Sequence, residues 1–163
     1  MAENRAAEAE ATPMQDFQPP QPDPALKRLD RLVGTWELTG RTLDATEENI
    51  TGRVTISWLP GGFFLEQRGE MEFMGFKAQS VEILSYDPVT NTFPSTVYSS
   101  MGAAPMPYGW DVQGDVVTHW TDGSKYTGTF SKDGKTLSGG WRPNEGIPQS
   151  AGNTYDAVMT RVK

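Results

Sequence analysis

The sequence of 163 residues contains no cysteine and a single histidine, His119. The absence of cysteine excludes disulfide scaffolds, thiolate zinc sites, iron–sulfur clusters and cysteine nucleophiles. With one histidine, a zinc site would need carboxylates for almost every ligand. A dinucleotide fingerprint, a phosphate-binding glycine loop and a Ser/His/Asp arrangement are also missing. We therefore predict no metal and no cofactor, and nothing in the sequence identifies an enzyme.

Long apolar runs and basic stripes are absent as well. Residues 58–65 form an apolar run interrupted by Pro60 and two glycines, well short of the roughly 18 residues of a membrane span. The net charge is −7, so the attraction that dominates binding to nucleic acids and anionic membranes is lacking. Alternating Ala and Glu follow Met1 instead of a secretory signal. We expect a cytoplasmic protein that binds neither nucleic acid nor membrane.

The length suits one domain and a tail. Residues 1–22 are rich in Ala and Glu, then in Gln and Pro, and cannot bury enough apolar area to offset the entropy cost of ordering. We predict a disordered tail over 1–22 and one domain over 23–163. Asp23-Pro24 is typical of a helix start, and leucines from Leu26 onward recur at a spacing of three to four. A short helix over 25–33 is predicted, ending at Gly34.

After Gly34 the hydrophobic period changes to two, which is typical of half-buried strands. Turn signals such as Asp87-Pro88 and Asp122-Gly123 separate about ten such segments and favour hairpins. Closure of ten strands removes both sheet edges and leaves room for a ligand. We predict an all-β, antiparallel up-and-down barrel. The first two strands are expected around Trp36 and Val54, and the others cover 63–71, 76–86, 92–100, 108–113, 116–121, 125–131, 136–141 and 154–162.

The segment 32–37, Leu-Val-Gly-Thr-Trp-Glu, resembles the calycin superfamily of lipocalins and fatty-acid-binding proteins, whose first strand opens with Gly-x-Trp after a short helix. Residues 58–64, 85–88 and 159–161 extend this to a resemblance with a bacterial lipocalin-like family of unknown function, covering about 24–163. The resemblance implies a calycin-like barrel in which Arg161 stacks on Trp36 at the closed end. Such a cation–π contact is worth about 0.5–2 kcal/mol, and we interpret it as a structural plug.

Nitrobindin-like barrels also resemble the expected fold, and they hold ferric haem through a histidine close to the C-terminus. This chain departs from that pattern, because His119 lies far from the last strand. We predict that His119 is an ordinary, partly exposed side chain. The alternatives are a hydrogen-bonding or acid/base group of a pocket, and a haem ligand.

Two segments are more apolar than loops usually are. Residues 71–76 span an expected hairpin tip, and residues 99–110 contain no charge but include Met101. Exposed methionine and aromatic groups in loops are typical of ligand portals or protein contacts. A portal or lid, a dimer contact and simple packing onto the barrel are all open interpretations.

Several polar side chains could orient a ligand or transfer protons inside the barrel. Glu66 and Glu82 also lie on strands, but acids are rarely buried without partners, so both are expected to face outward. Four residues are candidates for acid/base catalysis: Tyr98, Asp111, His119 and Tyr126.

Our first hypothesis is that the barrel interior binds a small apolar or aromatic molecule without covalent chemistry. The alternatives are a cofactor-independent isomerase, cyclase or hydrolase, and a protein-interaction module that uses the two apolar loops. A monomer or a weak homodimer is expected. The candidate ligand-binding residues are Trp58, Phe63, Leu65, Gln67, Tyr98, Met101, Tyr108, Trp110, Trp120, Tyr126 and Trp141.

Overall fold

The computed structural model of the protein describes residues 16–163. Ten antiparallel strands form a closed barrel in which each strand pairs with its neighbours in sequence and β1 pairs with β10. The prediction of an all-β up-and-down barrel is confirmed. The strands are β1 (Gly34–Thr42), β2 (Ile50–Trp58), β3 (Leu65–Phe73), β4 (Phe76–Leu84), β5 (Phe93–Ser99), β6 (Met106–Gln113), β7 (Val116–Trp120), β8 (Ser124–Phe130), β9 (Thr136–Pro143) and β10 (Tyr155–Arg161).

The N-terminal helix covers Pro24–Leu32 and is a 3-10 helix. The Asp23 carboxylate accepts a hydrogen bond from the Ala25 backbone N–H at 2.8 Å, as expected of an N-cap. Leu26, Leu29 and Leu32 are its buried residues. Their spacing of three matches the three residues per turn of a 3-10 helix, so this winding places all three leucines on the barrel.

Most of the predicted tail lies outside the described residues, which begin at Asp16. From there to the helix the chain has no regular secondary structure, and residues 16–21 are exposed. The boundary at 22/23 stays a prediction. Among the described residues, no helix has the length and apolar character needed to cross a membrane.

The third strand begins two residues later than the sequence indicates. The Leu59 N–H donates to the Phe64 carbonyl at 2.9 Å and closes a turn that holds Phe63. Gly61 and Gly62 have φ angles of 94° and 77° in this turn, which glycine adopts without steric cost. Phe63 therefore belongs to the connection between β2 and β3.

One end of the barrel is closed by the helix and by Trp36. The Arg161 guanidinium lies 4.1 Å from the centroid of the fully buried Trp36 ring. Arg161 also donates hydrogen bonds to the Val33 and Arg31 carbonyls, and Trp36 Nε1 donates to the Leu32 carbonyl at 2.8 Å. The predicted stacking of Arg161 on Trp36 is confirmed.

Two further arginines, both from the helix, cover aromatic rings at the same end. The Arg28 guanidinium lies 4.8 Å from the Phe93 ring centroid, and that of Arg31 lies 4.3 Å from Phe130. Arg28 also pairs with Asp111 at 3.0 Å. The closed end is thus a packed aromatic core beneath three guanidinium groups.

Candidate functional site

The interior beyond this core contains a cavity of about 210 Å³ whose lining comes from all ten strands. The cavity has two walls, one from β1 to β5 and one from β6 to β10, and the side chains of the two walls differ in size. The strands from β1 to β5 contribute small or aliphatic groups, among them Gly52, Val54, Gly69 and Ser80. The strands from β6 to β10 contribute most of the rings.

Five of these rings form a continuous row around half of the barrel. Each one is the cross-strand partner of the next, so the row takes one residue from each of β6 to β10 and follows the hydrogen-bonding direction across these strands. All five line the cavity. We call them the aromatic row: Trp110, His119, Tyr126, Trp141 and Tyr155.

The rings of the aromatic row support one another. His119 stacks on Trp110 with 3.7 Å between the ring centroids and an interplanar angle of 20°. Trp141 meets His119 edge-on at 5.1 Å and Tyr126 at 6.0 Å. Tilted and edge-to-face contacts of this kind are the favoured geometry of aromatic pairs. Contacts between neighbouring rings therefore fix the orientation of the aromatic row, which faces the cavity.

The opposite wall leaves space because of its small residues. A Cβ added at Gly69 would lie 3.5 Å from Ser80 Oγ and 3.7 Å from Val54 Cγ2. These are ordinary van der Waals distances, so position 69 could hold a larger side chain. The cavity exists in part because glycine occupies this position.

Glu82 is the polar centre of the site. The residue is 2% exposed, and its carboxylate accepts hydrogen bonds from side chains of four neighbouring strands. Burial of a carboxylate is costly unless it is fully hydrogen-bonded or paired. The donors are Ser95 Oγ at 2.6 Å, Trp110 Nε1 at 2.7 Å, His119 Nε2 at 3.1 Å and Gln67 Nε2 at 3.3 Å.

These donors outweigh the cost of burial. Burial by itself raises the pKa of Glu82, but the charge and hydrogen bond of His119, with the hydrogen bonds of Ser95 and Trp110, hold that pKa below its usual value. The carboxylate is therefore ionised at neutral pH and accepts only. His119 Nε2 consequently carries the shared proton, and His119 Nδ1 makes no hydrogen bond to a described residue.

Unlike the Glu82 carboxylate, the Tyr126 hydroxyl has no hydrogen-bond partner among the described residues. The residue is 7% exposed, and its hydroxyl is buried. Burial raises the pKa of Tyr126 well above its usual value, so the phenol stays protonated. Its ring occupies the space that Gly128 leaves open, where a Cβ would collide with the hydroxyl.

Several residues predicted from the sequence line this cavity. They share the inward face of their strands. They are Gln67, Tyr108, Trp110, His119, Tyr126 and Trp141.

Three other candidates lie on the outer face of the barrel. Tyr98 is 52% exposed, because Val97 takes the inward position of β5. Trp120 packs over its cross-strand partner Gly109, where any Cβ would collide with the indole. Asp111 pairs with Arg28 near the helix.

The remaining ligand-binding candidates also lie away from the cavity. Leu65 is fully buried in the core, and Trp58 packs against that core while its Nε1 donates to Asp30 at 2.9 Å. Phe63 lies in the turn before β3. Met101 lies in the β5–β6 loop and is 64% exposed.

The expectation that Glu82 faces outward is wrong. Val81 and Ile83 are more apolar than Ser80 and Glu82, so alternation favoured the opposite face of β4. The four donors make the inward position of Glu82 possible. His119 is likewise engaged inside the barrel instead of being an ordinary side chain, with 12% of its side chain exposed. Tyr155 also lines the cavity and was not predicted, because no local signal in the sequence distinguishes it.

Both apolar loops connect strands at the end of the barrel opposite the helix. Met71 of the first loop lines the cavity, whereas Met74, Phe76 and Met101 are 48%, 68% and 64% exposed. A role of these loops as a portal stays a prediction.

A wider depression of about 490 Å³ lies on the outer face of β2 to β5, lined in part by Arg53, Arg68 and Tyr98. Its charged groups have partners of their own: Arg68 Nε donates to Glu66 at 2.6 Å, and Gln79 donates to Glu70 at 3.1 Å. The interior cavity is the better candidate because Tyr126 lines it, and the buried hydroxyl of Tyr126 has no partner within the described part of the chain. Within residues 16–163, no group of three or more His, Asp or Glu side chains is arranged to hold a metal ion.

The fold and the site define a closed ten-stranded antiparallel barrel with an aromatic internal cavity and a buried carboxylate. The chain belongs to the family described as "Protein of unknown function (DUF1579)", which matches residues 21–142. It is also similar to the crystal structure of Rv2717c from M. tuberculosis, with 16% sequence identity and a TM-score of 0.58 over 88% of this chain and all of that one. That likeness supports the fold alone. No curated protein matches the chain.

Proposed function

We propose that this protein binds one small, mostly apolar or aromatic molecule inside its barrel, without covalent chemistry. The observation that carries the proposal is the cavity of about 210 Å³ between the aromatic row and the aliphatic wall. An apolar cavity of about 150 Å³ holds benzene, whereas sites for drug-sized ligands measure about 300–1,000 Å³. The volume therefore suits a molecule with a single ring.

The same proposal includes a calycin-type barrel in a cytoplasmic protein. The short helix before Gly34 and Trp36, and the stacking of Arg161 on Trp36, support the calycin resemblance. Calycin-type barrels resemble this chain in having one closed end, and the proposal extends the resemblance to an interior that accepts a ligand.

Titration with toluene tests binding in the cavity. Trp110 and Trp141 line it, so a saturable change of tryptophan fluorescence at a 1:1 ratio is expected, with the stoichiometry checked by calorimetry. Gly69→Ala and Gly69→Val place methyl groups in the cavity and should weaken toluene binding in that order, the second by at least about tenfold.

Thr55→Val, on the exposed outer face of β2, is the matched control and should bind toluene as the natural protein does. Circular dichroism checks that each variant is folded. Equal toluene affinity in the folded Gly69 variants would disprove binding in the cavity, and so would the absence of saturable binding of both toluene and p-cresol to the natural protein.

A second candidate function is acid/base catalysis, favoured by the hydrogen bond between His119 and Glu82. A carboxylate that holds one nitrogen of a histidine leaves the other nitrogen for proton transfer. Here Glu82 holds Nε2 and Nδ1 is without a protein partner among the described residues.

Hydrogen exchange of acetophenone in D₂O tests this candidate. His119 Nδ1 would remove a methyl proton, and the resulting enolate would take up a deuteron from the solvent-exchanged imidazole. Catalysis predicts loss of the methyl signal in NMR spectra faster than in buffer, and no acceleration by His119→Phe. If acetophenone exchanges in the presence of the natural protein at the same rate as in buffer, acid/base catalysis of this type is contradicted and the binding proposal stands.

A further inference from the structure

We propose that the ligand of this cavity is a neutral molecule with one aromatic ring and one hydroxyl or carbonyl oxygen, and that Tyr126 recognises this oxygen. The inference rests on the proposed binding inside the barrel and specifies the chemistry of the ligand. Four properties of the site lead to it.

The first property is the hydroxyl of Tyr126, which is buried without a partner in residues 16–163. Buried polar groups nearly always form a hydrogen bond, and each exception requires an explanation. Phenylalanine would fill nearly the same volume without burying a hydroxyl. The hydroxyl itself lies against Gly128 and is closed off from the cavity. A small rotation of the Tyr126 side chain, whose residue lines the cavity, would bring this hydroxyl to a ligand that supplies the missing partner.

The second property is the protonation state of the phenol. Burial raises the pKa of Tyr126, so its O–H is available as a donor to an oxygen atom at neutral pH. His119, the cross-strand partner of Tyr126, lies on the same inward face, and its Nδ1 forms no hydrogen bond with any residue that the structure describes. In the neutral imidazole, Nε2 carries the proton shared with Glu82 and Nδ1 is an acceptor. A phenol donor beside such an acceptor suits an oxygen that can both accept and donate, as a hydroxyl does.

The third property is the charge of the site. None of the described residues that line the cavity is Lys or Arg, whereas Glu82 is a buried carboxylate. His119 is already engaged by Glu82. An anionic ligand would therefore lose its hydration beside a like charge without gaining a free counter-ion, which is unfavourable. The cavity should reject carboxylates.

The fourth property is the shape of the wall opposite the small residues. The aromatic row offers ring faces and edges, and aromatic groups gain from offset or edge-on contacts with other rings. A ring with one polar substituent can place its apolar part against Val54 and Gly69 and its oxygen near Tyr126.

A series of three probes of the same shape tests the proposal: toluene, p-cresol and 4-methylbenzoate. They differ only in bearing hydrogen, a neutral hydroxyl or a carboxylate. Calorimetry at pH 7 should show p-cresol binding at least about tenfold more tightly than toluene, and 4-methylbenzoate at least about a hundredfold more weakly than p-cresol.

Tyr126→Phe identifies the residue responsible. The ratio of p-cresol to toluene affinity should fall to near one, while toluene affinity is kept. The melting temperature without ligand should stay equal or rise by about 2–4 °C, because the variant no longer buries an unpartnered hydroxyl. Tyr98→Phe removes an exposed hydroxyl from the outer face and should leave the affinity ratio unchanged.

Equal affinity of the natural protein for toluene and p-cresol would overturn the proposal. So would a ratio unchanged by Tyr126→Phe, which would mean that water satisfies the hydroxyl, or binding of 4-methylbenzoate as tight as that of p-cresol. In each of these outcomes interior binding itself would stand. If none of the three probes binds, the proposed function fails as well.

Discussion

The two halves of the barrel interior use the same residue types for different purposes. At the closed end, guanidinium groups cover Trp36, Phe93 and Phe130, and the indole N–H of Trp36 has a backbone acceptor. In the aromatic row the rings face a cavity, and the hydroxyl of Tyr126 has no partner among the described residues. The difference shows that aromatic content does not define a site. What matters is whether the chain itself supplies the partner of each group.

We expect substitutions in the two halves of the interior to differ in whether they change stability or ligand affinity. Changes at the closed end should lower stability and leave affinity unchanged, because no cavity-lining contact is lost. Changes around the cavity should alter affinity more than stability, except at Glu82, whose carboxylate is the shared acceptor of several buried donors. Four substitutions, taken from the largest expected effect on stability to the smallest, test this division.

Trp36→Ala should have the largest effect. Truncation of a fully buried large aromatic residue costs about 3–5 kcal/mol, and here it also removes the ring beneath Arg161. Urea unfolding should show this loss, while the toluene affinity of the remaining folded protein stays within about twofold. An unchanged unfolding midpoint would refute the role of Trp36 as a plug.

Arg161→Met should lower the free energy of unfolding by about 2–3 kcal/mol. It removes a cation–π contact worth about 0.5–2 kcal/mol and hydrogen bonds from a charged donor worth about 1.5–3 kcal/mol, partly offset by the apolar methionine. Arg53→Met, whose arginine is exposed and lies 3.8 Å from Glu37, is the control and should change stability by less than about 0.5 kcal/mol. Similar losses in the two variants would contradict the assigned role of Arg161.

Glu82→Gln should cost about 1–3 kcal/mol at neutral pH, because the donors around Glu82 lose a charged acceptor. The pKa of Glu82 is lowered in the folded state from an ordinary value of 4.5. The ionised carboxylate therefore contributes stability that is present above about pH 4.5 and is lost as the pH falls through the folded-state value.

Urea unfolding of both proteins between pH 3 and pH 7 checks this dependence. The difference in stability between the natural protein and Glu82→Gln should shrink as the pH falls below 4.5. His119 and Tyr108 face the same carboxylate, so the measurement reports on the whole cluster. Parallel curves over this range would show that the charge of Glu82 contributes nothing.

Gly69→Ala should have the smallest effect on stability and the opposite sign. Alanine reduces the freedom of the unfolded chain and can add up to about 1 kcal/mol where its conformation and space allow. Both conditions hold at position 69, where a Cβ meets only ordinary contacts. Thermal unfolding should show equal or higher stability while toluene affinity falls. A clear loss of stability would mean that this wall is already fully packed.

Much of the fold could be predicted from local patterns. A hydrophobic period of two and ten segments separated by turn signals indicated the barrel, and the spacing of Leu26, Leu29 and Leu32 indicated the helix. The resemblance placed Arg161 over Trp36. Errors at strand ends were small. Phe63 was predicted to lie on the third strand and to bind the ligand, but it lies in the glycine turn before β3, which closes at Phe64.

The site was predictable only in part. Alternation along β4 is ambiguous, since Val81 and Ile83 suit the interior better than Glu82 does until the donors of four other strands are known. Trp120 looked like a cavity residue because nothing in its own strand reveals that Gly109, on the neighbouring strand, leaves space for it on the outer face.

The sequence by itself determined the strand period, the turns and the two sets of residues that each strand presents. Only the tertiary structure decided which set faces inward and at what level neighbouring strands pair. Those two choices brought Trp110, His119, Tyr126, Trp141 and Tyr155 into one row and Glu82 among its donors. The physical reason is that alternation is a local property, whereas register and burial depend on the packing of all ten strands at once.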